Sequence, residues 1–307
     1  MSVEALRDGV RRASPRALAK ALTIVENGGP KARELLAAVR PVPADVRVIG
    51  ITGPPGAGKS TLVEELGVEL ASREQRIAVL AVDPSSPFSG GAILGDRLRM
   101  SRLAGRPGCF VRSMATRGAL GGLAAAAADA VDLFAVAGFP VVLVETVGTG
   151  QDEVDVMHLA DTVVVTVPPG LGDDVQAAKA GIMEIAHVFA VTKADLPGAD
   201  EVATHLTAML DLLAPGAWRP PVVAVSALEH RGLARLAAAL DEHDRYMSAP
   251  ERREAARRAR ASRRLERAIE RLVWERLGAQ EKHRLDRAID AVASGDTDPY
   301  SAAAELF

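Results

Sequence analysis

Apolar runs separated by helical stretches organise the middle of this chain. Val46–Ile51, Ile77–Val82, Val141–Val144, Thr162–Val167, Val188–Val191 and Val222–Val225 each read as a strand. Most are continuously apolar rather than alternating, the pattern of strands covered on both faces. Helical periodicity between them predicts βαβ units on a mostly parallel central sheet, an α/β fold spanning residues 45–245. The Ala124–Ala128 run predicts a small-residue helix. Residues 1–44 read as an N-terminal helical extension, with Leu6, Val10, Leu18, Leu22, Ile24 and Val25 at helical spacing. Leu35, Leu36 and Val39 continue it after a Gly-Gly-Pro break.

The pattern changes across residues 246–307. Ten arginines stand against five glutamates between 251 and 276, and the first half of that segment has only alanines as apolar residues. Leu265, Ile269, Leu272 and Leu277 then form one stripe, and Leu285, Ile289 and Val292 another. A nucleic-acid-binding helix is one reading. The interleaved glutamates, with i,i+4 pairs such as Glu254–Arg258 and Arg271–Glu275, favour a solvated arm whose stripe packs on another helix. An arm that cannot bury its stripe alone points to a homodimer.

Composition narrows the picture. The 307 residues are 48% hydrophobic and 25% charged, as in a globular chain. A net charge of −3 gives no global pull toward nucleic acid or anionic membrane, and 3% aromatics leave few stacking platforms. The lone Cys109 suits a reducing compartment. Met1–Ala5 lacks a signal-type apolar core, and Phe134–Val144, broken by Gly138 and Pro140, is too short to span a bilayer. The expectation is a cytoplasmic protein without a membrane partner segment.

The chemistry begins at Gly53-Pro54-Pro55-Gly56-Ala57-Gly58-Lys59-Ser60-Thr61, a full match to G-x-x-x-x-G-K-[ST]. A strand precedes it, and Leu62, Val63, Leu66 and Leu70 follow at helical spacing. Glycines let backbone N–H groups curl round a phosphate, Lys59 reaches β/γ-phosphates, and the Ser60 hydroxyl can ligate Mg²⁺. The third predicted strand ends Val144-Glu145-Thr-Val-Gly148, where a carboxylate can reach Mg²⁺ and the Gly148 amide can sense a γ-phosphate. Thr192-Lys193-Ala-Asp195 closes the strand 188–191. Asp195 can accept two hydrogen bonds from guanine N1–H and N2–H₂, a donor pair that adenine lacks, while the Lys193 stem lies over the base. Ser226-Ala227-Leu228 ends the next strand, where backbone N–H groups meet guanine O6. Asp83 ends the second predicted strand and Asp96 lies in a Gly-rich stretch, and each can touch Mg²⁺, a metal-bound water or the attacking water, or serve as an ordinary turn or cap carboxylate.

Together these segments resemble the MeaB/MMAA/ArgK family. The resemblance rests on G-P-P-G-A-G-K-S-T, A-V-D-P-S-S, G-G-A-I-L-G-D-R-L-R-M and V-L-V-E-T-V-G-T-G-Q. It rests also on G-D-D-V-Q-A-A-K-A-G-I-M-E-I-A, T-K-A-D and D-P-Y-S-A-A, and it runs from about residue 15 to the C-terminus. The family consists of P-loop GTPases that act as chaperones of adenosylcobalamin-dependent acyl-CoA mutases of the methylmalonyl-CoA mutase type. The resemblance implies a P-loop NTPase fold with helical extensions and Mg²⁺-dependent hydrolysis of GTP to GDP, carried by Lys59, Asp83, Asp96 and Glu145. It implies switches at 83–100 and 146–155, a third at 172–186 facing the mutase, and dimerising C-terminal helices. The sequence departs at Thr192, where the family usually has Asn. A metal-insertion GTPase is an alternative, but Cys109 and the scattered histidines show no ligand spacing. A transport-associated ATPase or kinase is another, and Asp195 argues against adenine.

Overall fold

The computed structural model describes residues 1–43, 45–73, 76–83, 100–115, 122–146, 157–170, 184–212, 218–280 and 282–306. Among them, seven parallel strands form one sheet: β1 (Arg47–Thr52), β2 (Ile77–Asp83), β3 (Cys109–Ala115), β4 (Val141–Thr146), β5 (Thr162–Val167), β6 (Val188–Val191) and β7 (Val222–Ala224). The spatial order is β3-β2-β4-β1-β5-β6-β7. β1 therefore sits between β4 and β5, with Ile51 opposite Glu145 and Thr52 opposite Val165. That register brings the ends of three strands to one place.

Apolar residues along each strand alternate between two cores. Val48, Leu80, Val142, Val144, Val163, Val165 and Phe189 face one layer. Ile49, Ile51, Val79, Leu143, Val164 and Val188 face the other. Both faces are covered, so the runs read as continuously apolar. The first layer holds α1 (Val3–Arg11), α2 (Pro15–Asn27) and α3 (Gly29–Ala38), with α6 (Gly122–Val136) and α7 (Ala199–Leu210). The second holds α4 (Lys59–Ala71), α5 (Ser101–Ala104) and α8 (Leu233–Met247). The N-terminal helices thus form part of the sheet's own covering: Leu6, Val10, Leu18, Leu22 and Leu35 are wholly buried in the first core.

β3 is absent from the predicted strands. It is an edge strand, and Cys-Phe-Val-Arg-Ser-Met-Ala mixes polar with apolar residues because Cys109, Phe110, Arg112 and Ser113 are only half-buried. No continuous apolar run marks such a strand.

By contacts the chain divides into two compact units, Met1–Arg257 and Arg258–Phe307. The division falls inside α9 (Pro250–Gln280), which precedes α10 (Lys282–Ser294) and α11 (Pro299–Ala304). On α9, Leu265, Ile269 and Leu272 are 62%, 52% and 53% exposed, whereas Leu277 is buried. Glu254 pairs with Arg257 and Glu270 with Arg267, local pairs that solvate the helix. Among the described residues no helix is long and apolar enough to cross a membrane.

Candidate active site

The loop between β1 and α4 is shaped by positive-φ glycines. Gly53 has φ 142°, and a Cβ there would stand 2.2 Å from Thr166 Oγ1 and 2.4 Å from its carbonyl oxygen, so no larger residue fits. Gly58, at φ 82°, turns the chain into α4 with its first N–H groups opening toward the loop. Lys59 is buried, and its ammonium donates to Gly53 O at 2.8 Å and Pro54 O at 2.9 Å. The cation is therefore held across the mouth of its own loop.

Beneath the loop, three threonines tie the strand ends together. Thr146 Oγ1 on β4 donates to Thr52 Oγ1 at 3.1 Å, and Thr166 Oγ1 on β5 donates to Thr52 O at 3.0 Å, all buried. These residues were missed in the sequence, where each reads as a strand end. Beside them the Ser60 hydroxyl donates to Glu145 Oε1 at 2.5 Å, across 85 positions of sequence. Glu145 is buried, and its carboxyl group faces the Ser60 hydroxyl next to the phosphate loop. That pair of hard oxygen donors fits a small divalent cation such as Mg²⁺.

At the end of β6, Thr192 is buried and its hydroxyl donates to Ala57 O at 2.7 Å. A side chain from the 192–195 segment thus fastens the phosphate loop, a role for Thr192 that the motif alone does not reveal. Lys193 has φ 52°, and its Cε lies 4.0 Å from where a Cβ on Gly58 would stand, so its stem crosses the loop. Asp195 is exposed and accepts from Ser226 Oγ at 2.5 Å. That hydrogen bond, first among the causes, holds its carboxyl below the ordinary carboxylate value, with Arg231 and Lys193 adding attraction. Ser226 Oγ also accepts from the Glu229 N–H at 3.2 Å, while the Ser226 N–H is committed to Arg231 O at 3.0 Å.

The structure thus brings Lys59, Ser60 and Glu145 together, and separately Asp195 with Ser226, the two groups joined through Thr192 and Lys193. Asp83 is the last residue of β2, opposite Ala115, and its side chain lies outside the described residues. Asp96 and Gly148 lie outside them too, as do most of 83–100, 146–155 and 172–186.

Comparison with known proteins places this geometry. The model of the family described as methylmalonyl-CoA mutase-associated GTPase MeaB matches residues 18–282. A protein of Pyrococcus abyssi named as a GTPase is 43% identical over 306 residues, 98% of this chain and 94% of that one. The mouse protein named methylmalonic aciduria type A homolog, mitochondrial, is 36% identical over 267 residues, 80% of this chain and 64% of its own. Among solved structures, one described as an LAO/AO transport system kinase superposes with a TM-score of 0.73 at 27% identity, covering 99% of this chain and 96% of that one. The chain belongs to the MeaB family and is a GTPase, hydrolysing GTP to GDP and phosphate.

Proposed function

We propose that this GTPase is Mg²⁺-dependent and serves as a chaperone gating cofactor loading and protection of an adenosylcobalamin-dependent acyl-CoA mutase of the methylmalonyl-CoA mutase type. The observation that carries the hydrolytic site is the part-buried Ser60–Glu145 pair beside a lysine held over the phosphate loop. The mutase is supported by the family description and by the mouse relative.

Ser60 and Glu145 would hold the Mg²⁺, with Asp83 and Asp96 as further carboxylates, and the bound ion would offset charge spreading over the transferring phosphoryl group. Lys59 adds a second positive charge. Its ammonium already sits over the loop on the carbonyls of Gly53 and Pro54, so phosphate oxygens need only replace those acceptors. Little reorganisation is left for the reaction, in which water attacks the γ-phosphorus and the bond to the β–γ bridging oxygen breaks. By the spacing of its motif, the Gly148 N–H would sense the γ-phosphate. At the other end Asp195, oriented by Ser226, accepts from guanine N1–H and N2–H₂. Because the Ser226 N–H is already bonded to Arg231 O, the N–H groups of Ala227 and Leu228 are the candidates for guanine O6. The transport-kinase description of the solved relative points to another nucleotide chemistry; the Asp195–Ser226 arrangement supports guanine.

The exposed stripe Leu265, Ile269 and Leu272 supports a homodimer through α9. Light scattering should then give twice 32.2 kDa. The mutase reading is tested by titrating the chain with methylmalonyl-, isobutyryl- and ethylmalonyl-CoA mutases while measuring GTP hydrolysis. One of them should accelerate turnover, and Gln176→Ala or Lys179→Ala should remove the acceleration while intrinsic hydrolysis survives. No complex and no acceleration with any of the three sinks the chaperone assignment and leaves the GTPase.

A further inference from the structure

A second polar cluster lies two turns along α4 from the phosphate loop and takes no part in the chemistry above. Glu64 and Glu65 are consecutive, both carboxylates are buried, and both are turned to the same residue of another element. Glu64 Oε1 accepts from the backbone N–H of Arg102 at 2.8 Å. Glu65 Oε1 accepts from the Arg102 guanidinium. Leu103, the next residue, is wholly buried and packs so closely on Gly67 that a Cβ there would meet its Cδ2 at 2.6 Å. α5 is thereby fastened to α4 at backbone, side chain and core.

The other oxygen of Glu65 is also occupied. His230 Nδ1 stands 2.8 Å from Glu65 Oε2. His230 has φ 52°, an unusual conformation for a side-chain-bearing residue, in the turn where Ser226 and Arg231 exchange two backbone hydrogen bonds. The same turn supplies the hydroxyl that orients Asp195. Burying a carboxylate is costly unless donors compensate it, and here its two partners come from the 226–232 turn and from α5. The turn carries Asp195's orienting serine; α5 follows segment 84–99 in the chain.

We infer that Glu65 is a positioning residue that couples the guanine-side turn 226–232 to the start of α5, so that the conformation of one biases the other. The inference rests on the GTPase site described above for its consequence, though not for its geometry. A carboxylate gripped at both oxygens has one orientation. Removing either donor lets it rotate, and the remaining bond loosens with it. Nucleotide contacts made at the turn are thereby felt where segment 84–99 ends, through side chains rather than through the phosphate loop.

The test reads coupling first in the nucleotide-free protein, by hydrogen exchange. The Arg102 amide, held by Glu64, reports on one side and the Arg231 amide, held by Ser226 O, on the other. His230→Ala should speed exchange at Arg102, and Arg102→Ala should speed it at Arg231, each about threefold, the scale of one half-exposed polar pair. Both substitutions are at side chains more than half exposed, so neither opens a cavity in the core. In a Glu65→Gln background neither should add a further effect. GDP dissociation is then measured in the same proteins. The double variant Arg102→Ala/His230→Ala should accelerate release by less than the product of the two single effects. Exchange that responds only on the substituted side, or additive effects on GDP release, overturns the coupling. Coupled exchange in a protein that binds no guanine nucleotide leaves the coupling standing and defeats the assignment of the site instead.

Discussion

The two edges of this sheet bury polar groups for opposite ends. At the edge where β1, β4 and β5 finish, Lys59 and Glu145 are buried as a cation and a carboxylate, each aimed into the space beside the phosphate loop. At the edge where β5 and β6 begin stand two imidazoles, one buried (His243) and one half-buried (His187), whose uncharged forms are favoured. His187 and His243 lie with ring centroids 4.3 Å apart, and Trp218 packs on His243 at 4.8 Å. The Val163 N–H donates to His187 Nδ1 at 3.0 Å, and Thr162 Oγ1 shares a hydrogen bond with His243 Nδ1 at 2.8 Å. One edge holds Lys59 and Glu145 out of water beside the phosphate loop; the other packs its imidazoles together, where burial favours their uncharged forms. Buried ionisable chains beside the phosphate loop mark the working edge, while stacked imidazoles, with the Arg47–Asp241 ion pair near them, mark the structural one.

The largest effect should come from removing the cation at the working edge. Lys59→Ala should lower kcat by about 100-fold or more, as expected for loss of a group that meets developing charge. GTP hydrolysis and thermal unfolding measured together should separate the edges: activity falls while stability holds. If unfolding collapses instead, Lys59 is a structural residue and the contrast between the edges fails.

Asp195→Asn comes next. It should cost GTP about 2 kcal/mol of binding relative to ATP, the scale of hydrogen bonds to a charged group. Calorimetric titration with both nucleotides checks this, and equal affinities in the unaltered protein would remove guanine recognition from Asp195. Ser226→Ala should shift the preference the same way by a smaller amount, since it only orients the carboxylate.

The structural edge is tested by pH. His243 is held far below its ordinary value of 6.5, to about 3, first by burial and then by His187 and Arg47; burial lowers His187 as well. The folded state refuses protons that the unfolded chain accepts below about pH 6.5. Stability is therefore full above that pH and is lost progressively as pH falls toward 3. Urea unfolding should show a loss of about 1–2 kcal/mol between pH 7 and pH 5, and His243→Gln should flatten the slope. An unchanged slope in that variant would place the acid sensitivity elsewhere.

Thr192→Val should have the smallest effect. It removes the hydroxyl bond to Ala57 O and keeps the shape, so guanine nucleotides should bind about 1 kcal/mol more weakly. Thr192→Asn should recover much of that loss if its amide reaches the same carbonyl. GDP release rates compare the two.

Much of this molecule follows from local sequence. The phosphate loop is contiguous, and its glycines, lysine and serine act through spacing that no distant residue has to supply. Strands covered on both faces announce themselves as unbroken apolar runs, and all six predicted strands lie in the sheet. What local pattern could not supply is whatever depends on which segments become neighbours. β3 escaped because Arg112 and Ser113, half-buried at this edge of the sheet, break its apolar run, whereas β7 at the other edge keeps one. Helices α1–α3 were readable as helices, yet only the fold shows them sharing a core with the sheet, since a helical stripe does not name its partner. His187 and His243 were scattered in sequence and are stacked in space. The pairings of Ser60 with Glu145, Thr192 with Ala57, and Glu65 with both Arg102 and His230 join residues 37 to 165 positions apart. Sequence alone determined the chemistry that each residue could offer. Tertiary structure decided which offers meet, because strand order and register, set by packing over the whole chain, bring their ends together.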